Sequence, residues 1–155
     1  MPSDPAAPGP ASAEPAPPFI HRRRVQFAET DLAGIVHFSN FYRYMEEAEH
    51  AFLRTHDLKI KQQLPDGTVL GWPRVRGTCS FELPAYYEDE LEIEVRIDRL
   101  GVKSLTLGFV IRRGPQRIAV VELKTVCCRF GADGRFESVE IPEAWRERLQ
   151  ETETC

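Results

Sequence analysis

Residues 27–42 read FAETDLAGIVHFSNFY, a stretch that leaves a strand-like run, crosses a turn and enters a helix. Asp31 lies in the turn, Gly34 follows three residues later, and the helix is predicted to begin near Ser39. The start of a helix offers unpaired backbone N–H groups and the positive end of the helix dipole. A carboxylate held close to those groups forms a site where a polarised carbonyl could be attacked.

The composition of the chain excludes several classes of protein. Its 155 residues, 42% hydrophobic and 28% charged, are enough for one domain with its own core. The net charge of -4, from 20 basic and 24 acidic residues, argues against a nucleic-acid-binding protein. No apolar run approaches the roughly 18 residues of a membrane span, so we expect no membrane partner. The four cysteines lack zinc-site spacing, and we interpret them as reduced packing residues of a cytoplasmic protein without a bound metal.

The chain is predicted to divide into a tail and one domain. Residues 1–18 contain seven of the twelve prolines and no run of large apolar residues, so we expect a disordered tail. In the domain, residues 19–150, helical spacing over 39–56 places apolar side chains on one face and Glu49 on another. Strands are predicted over residues 19–27, 75–83, 91–99, 104–113 and 116–130, with a short helix at 143–149.

The order of these elements predicts the fold class. Short links between the last four strands indicate antiparallel pairing. One broad apolar helix face laid on one sheet indicates a two-layer α+β domain, in which a five-stranded antiparallel sheet wraps around a long central helix. Because the sheet edges and its other face are left exposed, we expect pairing between subunits.

The same order and four motifs resemble the hotdog-fold acyl-CoA thioesterases. Within them, the chain is similar to the 4-hydroxybenzoyl-CoA thioesterase group, which includes the thioesterases encoded with the Tol-Pal system. The similarity covers everything except the tail. It rests on TDLAGIVHFSNFY at 30–42, PAYYEDELEI at 84–93, GVKS at 101–104 and Ile141-Pro142.

This resemblance implies an enzyme that hydrolyses an acyl-CoA thioester to a free acid and coenzyme A. Asp31 would act as nucleophile or general base, and the backbone N–H of Phe38 would bind the thioester oxygen, with Gly34 in the same catalytic loop. Lys103 and Ser104 match positions near the nucleotide end of coenzyme A. No cofactor is implied beyond the coenzyme A of the substrate, and we expect a homotetramer built from hotdog dimers.

Three further residues are assigned to substrate binding, each with an alternative. His37 could touch the substrate, or it could be a packing or surface histidine. Asn40 could orient the Asp31 loop, although capping of the helix is the interpretation that we favour. Glu46 could take part directly, because another hotdog lineage uses a helix carboxylate, or it could bond to a neighbouring strand or subunit.

Two other functions are compatible with the same fold. A non-catalytic hotdog module could bind acyl-CoA or serve in assembly, although Asp31 would then have no evident use. A hotdog dehydratase would usually pair its Asp with a nearby His, and the spacing of Asp31 and His37 does not resemble that pattern. For a thioesterase, the sequence leaves open an aromatic or aliphatic acyl group, coenzyme A or a carrier protein, and a covalent or general-base route.

Overall fold

The computed structural model of the protein describes residues 17–153, so the predicted tail lies almost entirely outside the described residues. Two antiparallel sheets and two α-helices make up this part of the chain, and neither of these helices is long and apolar enough to span a membrane. The strands are β1 (Phe19–Arg24), β2 (Lys61–Gln63), β3 (Val69–Gly71), β4 (Arg74–Phe81), β5 (Glu90–Leu100), β6 (Ser104–Arg113), β7 (Gln116–Val126), β8 (Cys128–Phe130) and β9 (Phe136–Ser138); the helices are α1 (Asn40–Thr55) and α2 (Glu143–Glu153).

The larger sheet has five strands in the order β1-β5-β6-β7-β4. Apolar and charged residues alternate along the first half of β5, so this sheet has one buried face: Leu91, Ile93 and Val95 are buried, and the residues between them are more exposed. The prediction of an antiparallel sheet packed against a helix is confirmed, but the details of both differ from the prediction.

The central helix is shorter than the one predicted over residues 39–56. It has 16 residues and begins only at Asn40, because the preceding residues form a turn in which the Asn40 N–H donates to the His37 carbonyl oxygen at 2.9 Å. It ends at Thr55, and Asp57, with a φ of 53°, turns the chain away. The long central helix of the sequence prediction is therefore wrong in length.

The apolar face of α1 packs against β1, β5 and β7. Tyr44, Ala48 and Phe52 on this face are completely buried, and Phe41 and Met45 nearly so. Burial of each large apolar side chain contributes roughly 1.5–3 kcal/mol, so this face fixes the position of the helix on the sheet.

A second sheet, in the order β2-β3-β8-β9, is absent from the sequence prediction. The predicted strand over 116–130 is broken at Cys127, where the chain leaves the larger sheet. The Cys127 N–H donates to the Lys103 carbonyl oxygen at 2.7 Å, and the Cys127 carbonyl accepts from the Val139 N–H at 2.9 Å. Cys127, a single buried residue bonded to the backbone at Lys103 and at Val139, thus separates β7 from β8.

Glu49 is buried on the inner side of α1, which corrects its predicted place away from the apolar face. Its side chain is only 2% exposed, and its Oε2 lies 2.6 Å from the Nη2 of Arg74 on β4. The same arginine nitrogen lies 3.0 Å from Oε1 of Glu46. Burial raises the pKa of the Glu49 carboxyl to about 7, although the attraction of Arg74 opposes the rise.

This buried carboxyl makes the stability of the protein pH-dependent. Its pKa is higher in the folded than in the unfolded chain, so its contribution to stability is lost as the pH rises from about 4.5 to about 7. We expect the free energy of unfolding of the wild type, relative to Glu49→Gln, to fall by on the order of 2 kcal/mol across that window. Urea unfolding at pH 5 and pH 8 measures the difference.

The control for this experiment is Glu46→Gln, which removes a carboxylate from the same arginine but leaves Glu49 titratable. The stability of Glu46→Gln relative to Glu49→Gln should still fall with pH, but by less, because the Glu46 charge adds to the effect of burial in raising the pKa of Glu49. A constant difference between wild type and Glu49→Gln would contradict the assignment.

Candidate active site

The loop that carries Asp31 is a short hairpin between β1 and α1. The Asp31 N–H donates to the Ile35 carbonyl oxygen at 2.8 Å, and Thr30 pairs with Val36 as an isolated antiparallel bridge. A second bridge joins Ile35 to Tyr86, just before β5. The loop is therefore tied to the segment between β4 and β5 as well as to itself.

Gly34 allows this loop to close tightly. Its φ is 77°, in the left-handed region that side chains other than glycine rarely adopt, and its N–H donates to the Asp31 carbonyl oxygen at 2.9 Å. A Cβ at this position would meet no atom within 4 Å, so the requirement for glycine here is one of backbone conformation rather than space.

The Asp31 carboxylate faces a cleft with one oxygen already fixed. Its Oδ1 accepts a hydrogen bond from the Ala33 N–H at 2.8 Å, which holds the side chain against its own loop. Among the residues whose side chains the structure describes, none donates a hydrogen bond to Oδ2. One carboxylate oxygen is thus oriented by the backbone, while the other has no hydrogen-bond donor among the described residues.

The cleft beside Asp31 has a volume of about 570 Å³ and a mostly apolar lining. It lies between the start of α1, the end of β4 and the segment that leads to β5. The Phe41 and Phe81 rings meet edge to face across it, with centroids 5.3 Å apart. The lining residues are Asp31, Ile35, Val36, Phe38, Phe41, Phe81, Glu82, Leu83, Pro84 and Ala85.

Phe38 lines this cleft and lies one residue before the N-cap Ser39. The amides around it are occupied, since the His37 N–H donates to the Glu29 carbonyl oxygen at 2.9 Å and the Asn40 N–H to that of His37. Within the described part of the chain, no atom accepts a hydrogen bond from the Phe38 N–H. Asp31 and Phe38, a residue whose N–H has no acceptor among the described residues, thus line one cleft.

His37 and Asn40 act within the protein rather than in the cleft. The Nδ1 atom of His37 lies 2.8 Å from the Ser39 hydroxyl, and the His37 side chain does not line the cleft. The favoured interpretation of Asn40 as a helix cap is wrong, because the N-cap is Ser39 and makes no side-chain capping bond. The Asn40 amide instead donates to the Glu29 carbonyl oxygen at 2.8 Å, which agrees with the alternative that it orients the loop.

The other predicted binding residues lie away from Asp31 in the single chain. Lys103 and Ser104 lie at the start of β6, whereas the Asp31 loop lies near the start of β5, which pairs with the far end of β6. Ten residues of strand span about 33 Å, so the two groups are at opposite ends of the sheet. Lys103 Nζ donates to the Ser138 carbonyl oxygen at 3.2 Å, and Glu46 is held by Arg74.

Sequence reasoning missed several residues of the site. Phe81 and Leu83 line the cleft. The feature of the sequence that could have indicated them is their position at the end of a predicted strand, directly before Pro84. Glu29 lies within residues 27–42, but only the structure shows that its carbonyl oxygen accepts hydrogen bonds from the His37 N–H and the Asn40 side chain. Among the described residues, no group of three or more His, Cys, Asp or Glu side chains is placed to hold a metal ion.

Comparison with known proteins identifies the family. The thioesterase-like superfamily model matches residues 25–149, and the chain belongs to this superfamily. The thioesterase class predicted from the sequence is thus confirmed at the level of the family.

Individual relatives agree with this assignment. A protein of Aquifex aeolicus, provisionally named an esterase, is 36% identical over 134 residues, which are 86% of this chain and 99% of that protein. A 1,4-dihydroxy-2-naphthoyl-CoA hydrolase of Prochlorococcus marinus is 30% identical over 66% of this chain and 70% of its own length. The solved structure of a gentisyl-coenzyme A thioesterase is 29% identical, with a TM-score of 0.71 over 85% of this chain and 99% of that one.

Gly34 and Gly67 have the same backbone conformation, so substitution of each in turn distinguishes an effect on the Asp31 loop from an effect on stability alone. Gly67, in the β2–β3 turn, has a φ of 82° and, like Gly34, would place a Cβ in open space. We expect Gly34→Ala and Gly67→Ala to lower the free energy of unfolding by similar amounts, about 1–2 kcal/mol.

Only Gly34→Ala should also lower thioester turnover, by about tenfold or more, because it displaces Asp31 and the cleft wall. Chemical unfolding and thiol release on both variants measure the two effects. Equal turnover in the two variants would show that the conformation of Gly34 has no part in the site.

Proposed function

We propose that the protein hydrolyses the thioester of an aromatic acyl-CoA, with Asp31 and the Phe38 amide as its catalytic groups. One observation carries this proposal: Asp31, with one carboxylate oxygen unbonded among the described residues, and Phe38, with its N–H unbonded among them, line the same apolar cleft. A carboxylate and an N–H donor are the two groups that addition to a thioester carbonyl requires.

In the proposed reaction the thioester oxygen accepts a hydrogen bond from the Phe38 N–H, which stabilises the negative charge that develops there. One such donor is typically worth a factor of about 10² to 10³ in rate. Asp31 either removes a proton from a water molecule that adds to the carbonyl carbon, or adds itself and forms an anhydride that water then opens. Either way the C–S bond breaks, the sulfur leaves with its electron pair and gains a proton, and the products are a carboxylic acid and coenzyme A.

The lining of the cleft supports an aromatic acyl group. Phe38, Phe41 and Phe81 offer ring faces and edges, and Leu83 and Ile35 add apolar surface. Flat rings pack well in such surroundings, with a gain beyond simple burial. The names of two relatives, 1,4-dihydroxy-2-naphthoyl-CoA hydrolase and gentisyl-coenzyme A thioesterase, both specify aromatic acyl groups. The 4-hydroxybenzoyl-CoA thioesterase group expected from the sequence is likewise named for an aromatic acyl group.

A second copy of the chain would bring Lys103 and Ser104 to the cleft. The outer edge of β4 pairs with no strand among the described residues, and Val75 and Phe81 on it are more than half exposed. Antiparallel pairing of two β4 edges about a two-fold axis near Gly77 would place the Arg74 end of one copy beside the Phe81 end of the other.

Arg74 pairs with Thr125, and Val126 with Ser104, so the Arg74 end of β4 is also the Lys103 end of the sheet. We therefore include pairing of chains, as a homotetramer of such dimers, in the proposal. Sedimentation of the purified protein tests this part, because a monomer would contradict it.

The experiment that tests the proposed function is thiol release from a panel of acyl-CoAs, aromatic and aliphatic. Wild type should hydrolyse the aromatic members preferentially. Asp31→Asn keeps the size of the side chain but loses its basicity, and we expect turnover to fall by about 10³-fold or more with the fold intact.

Glu82→Gln is the matched control, because Glu82 is the other carboxylate that lines the cleft and it is paired with Arg117, with Nε to Oε2 at 2.8 Å. Its turnover should change by no more than a few-fold. An Asp31→Asn variant that retains most of its activity would refute the catalytic role of Asp31. Binding without hydrolysis across the panel would favour a non-catalytic acyl-CoA-binding module.

A further inference from the structure

The start of α1 and the Asp31 loop meet at one residue, Glu29. Its backbone carbonyl oxygen accepts two hydrogen bonds, from the His37 N–H at 2.9 Å and from the Asn40 side-chain amide at 2.8 Å. These two donors lie on either side of Phe38 in the sequence. The carbonyl of Glu29 therefore fixes the turn in which the Phe38 N–H is left without an acceptor among the described residues.

The side chain of Glu29 is anchored at the same time. Its Oε1 lies 2.5 Å from Nη2 of Arg23 on β1, and its Oε2 accepts from the Tyr44 hydroxyl at 2.8 Å and from the Gln26 N–H at 2.7 Å. Donors from β1, from α1 and from the N-cap of a short 3-10 helix, Phe27–Glu29, thus converge on one carboxylate. Charge-assisted hydrogen bonds of this kind are the stronger ones in proteins.

Arg23 is itself held in place, which makes the anchor stiff. Its side chain is only 9% exposed, its guanidinium carbon lies 3.8 Å from the centre of the Tyr44 ring, and its Nη1 lies 2.7 Å from Oε1 of Glu47. Burial raises the pKa of the Tyr44 hydroxyl, so it remains a donor to Glu29 over the working range of pH. The cluster of Arg23, Glu29 and Tyr44 joins β1 to the second turn of α1.

We propose that Glu29 is a positioning residue for catalysis, which holds the Phe38 N–H and the Asp31 carboxylate in register through its anchored side chain and its doubly bonded carbonyl. The inference rests on the proposed function. Neither Glu29 nor Tyr44 lines the cleft, so they act through the loop and not on the substrate. A loop fixed at both of its ends reaches the reacting geometry without reorganisation, which is the condition for efficient transition-state stabilisation.

Tyr44→Phe tests the anchor with the smallest change. The ring keeps its packing and its contact with Arg23, and only the hydroxyl bond to Glu29 is lost. Thr55→Val is the matched control, because it removes a hydroxyl from the opposite end of the same helix, where Thr55 Oγ1 donates to the Phe52 carbonyl oxygen at 2.7 Å. Asn40→Ala removes the side-chain donor to the Glu29 carbonyl and probes the other half of the arrangement.

We expect Tyr44→Phe and Asn40→Ala each to lower kcat by about tenfold while KM stays within about twofold, since misplacement of a catalytic group acts on the chemical step. Thr55→Val should change neither constant by more than about twofold. If the three variants lose similar stability in urea but only the first two lose kcat, the role is one of positioning. Equal loss of kcat in all three, or loss of none, would overturn the proposal.

A second readout does not depend on catalysis. Hydrogen exchange of the His37 amide, measured by NMR in the protein without substrate, should accelerate in Tyr44→Phe and Asn40→Ala but not in Thr55→Val, because the Glu29 carbonyl is its acceptor. Unchanged exchange in the first two variants would refute the anchor whatever the enzyme does. A wild type that hydrolyses no thioester, with the exchange effect present, would refute the proposed function and leave the loop anchor standing without a catalytic role.

Discussion

The packing of one face of α1 on the larger sheet is the constraint from which the site follows. Tyr44 and Phe52, both fully buried, fix the helix against the sheet. The position of the first turn of α1 is therefore fixed as well. Phe41 extends this packing into the cleft, where its ring meets Phe81 at the end of β4. The 15 residues between β1 and α1 must then fold back on themselves, and they bring Asp31 and Phe38 to the same cleft.

The sequence predicted the local parts of this arrangement well. Asp31, Gly34 and Phe38 lie within eight consecutive residues, so a short-range pattern of turn and helix start was enough to place them together. The limits of β6 matched the prediction, because alternating apolar residues and a Gly-Pro turn mark that strand in the sequence itself. Such features depend on neighbours along the chain and can be inferred without knowledge of the fold.

Features that depend on distant partners could not be inferred in this way. Glu49 looked like a surface residue until Arg74, 25 positions away, was found beside it in the buried layer. The break at Cys127 follows from hydrogen bonds to residues 103 and 139, and the second sheet follows from that break. Asn40 is of a residue type that often caps helices, but its side-chain amide donates to the carbonyl oxygen of Glu29, eleven residues earlier. Lys103 was grouped with Asp31 by resemblance, although the single chain keeps them at opposite ends of the sheet.

Polarisation of the thioester carbonyl by the Phe38 N–H is the central step of the proposed reaction. Difference infrared spectroscopy of an aromatic acyl-CoA, labelled with ¹³C at the thioester carbonyl and bound to Asp31→Asn, measures that polarisation directly. We predict a carbonyl stretch at lower frequency than for the same thioester in water, because a hydrogen bond in a water-excluding cleft weakens the C=O bond. A bound thioester whose carbonyl stretch lies at or above the frequency in water would contradict it.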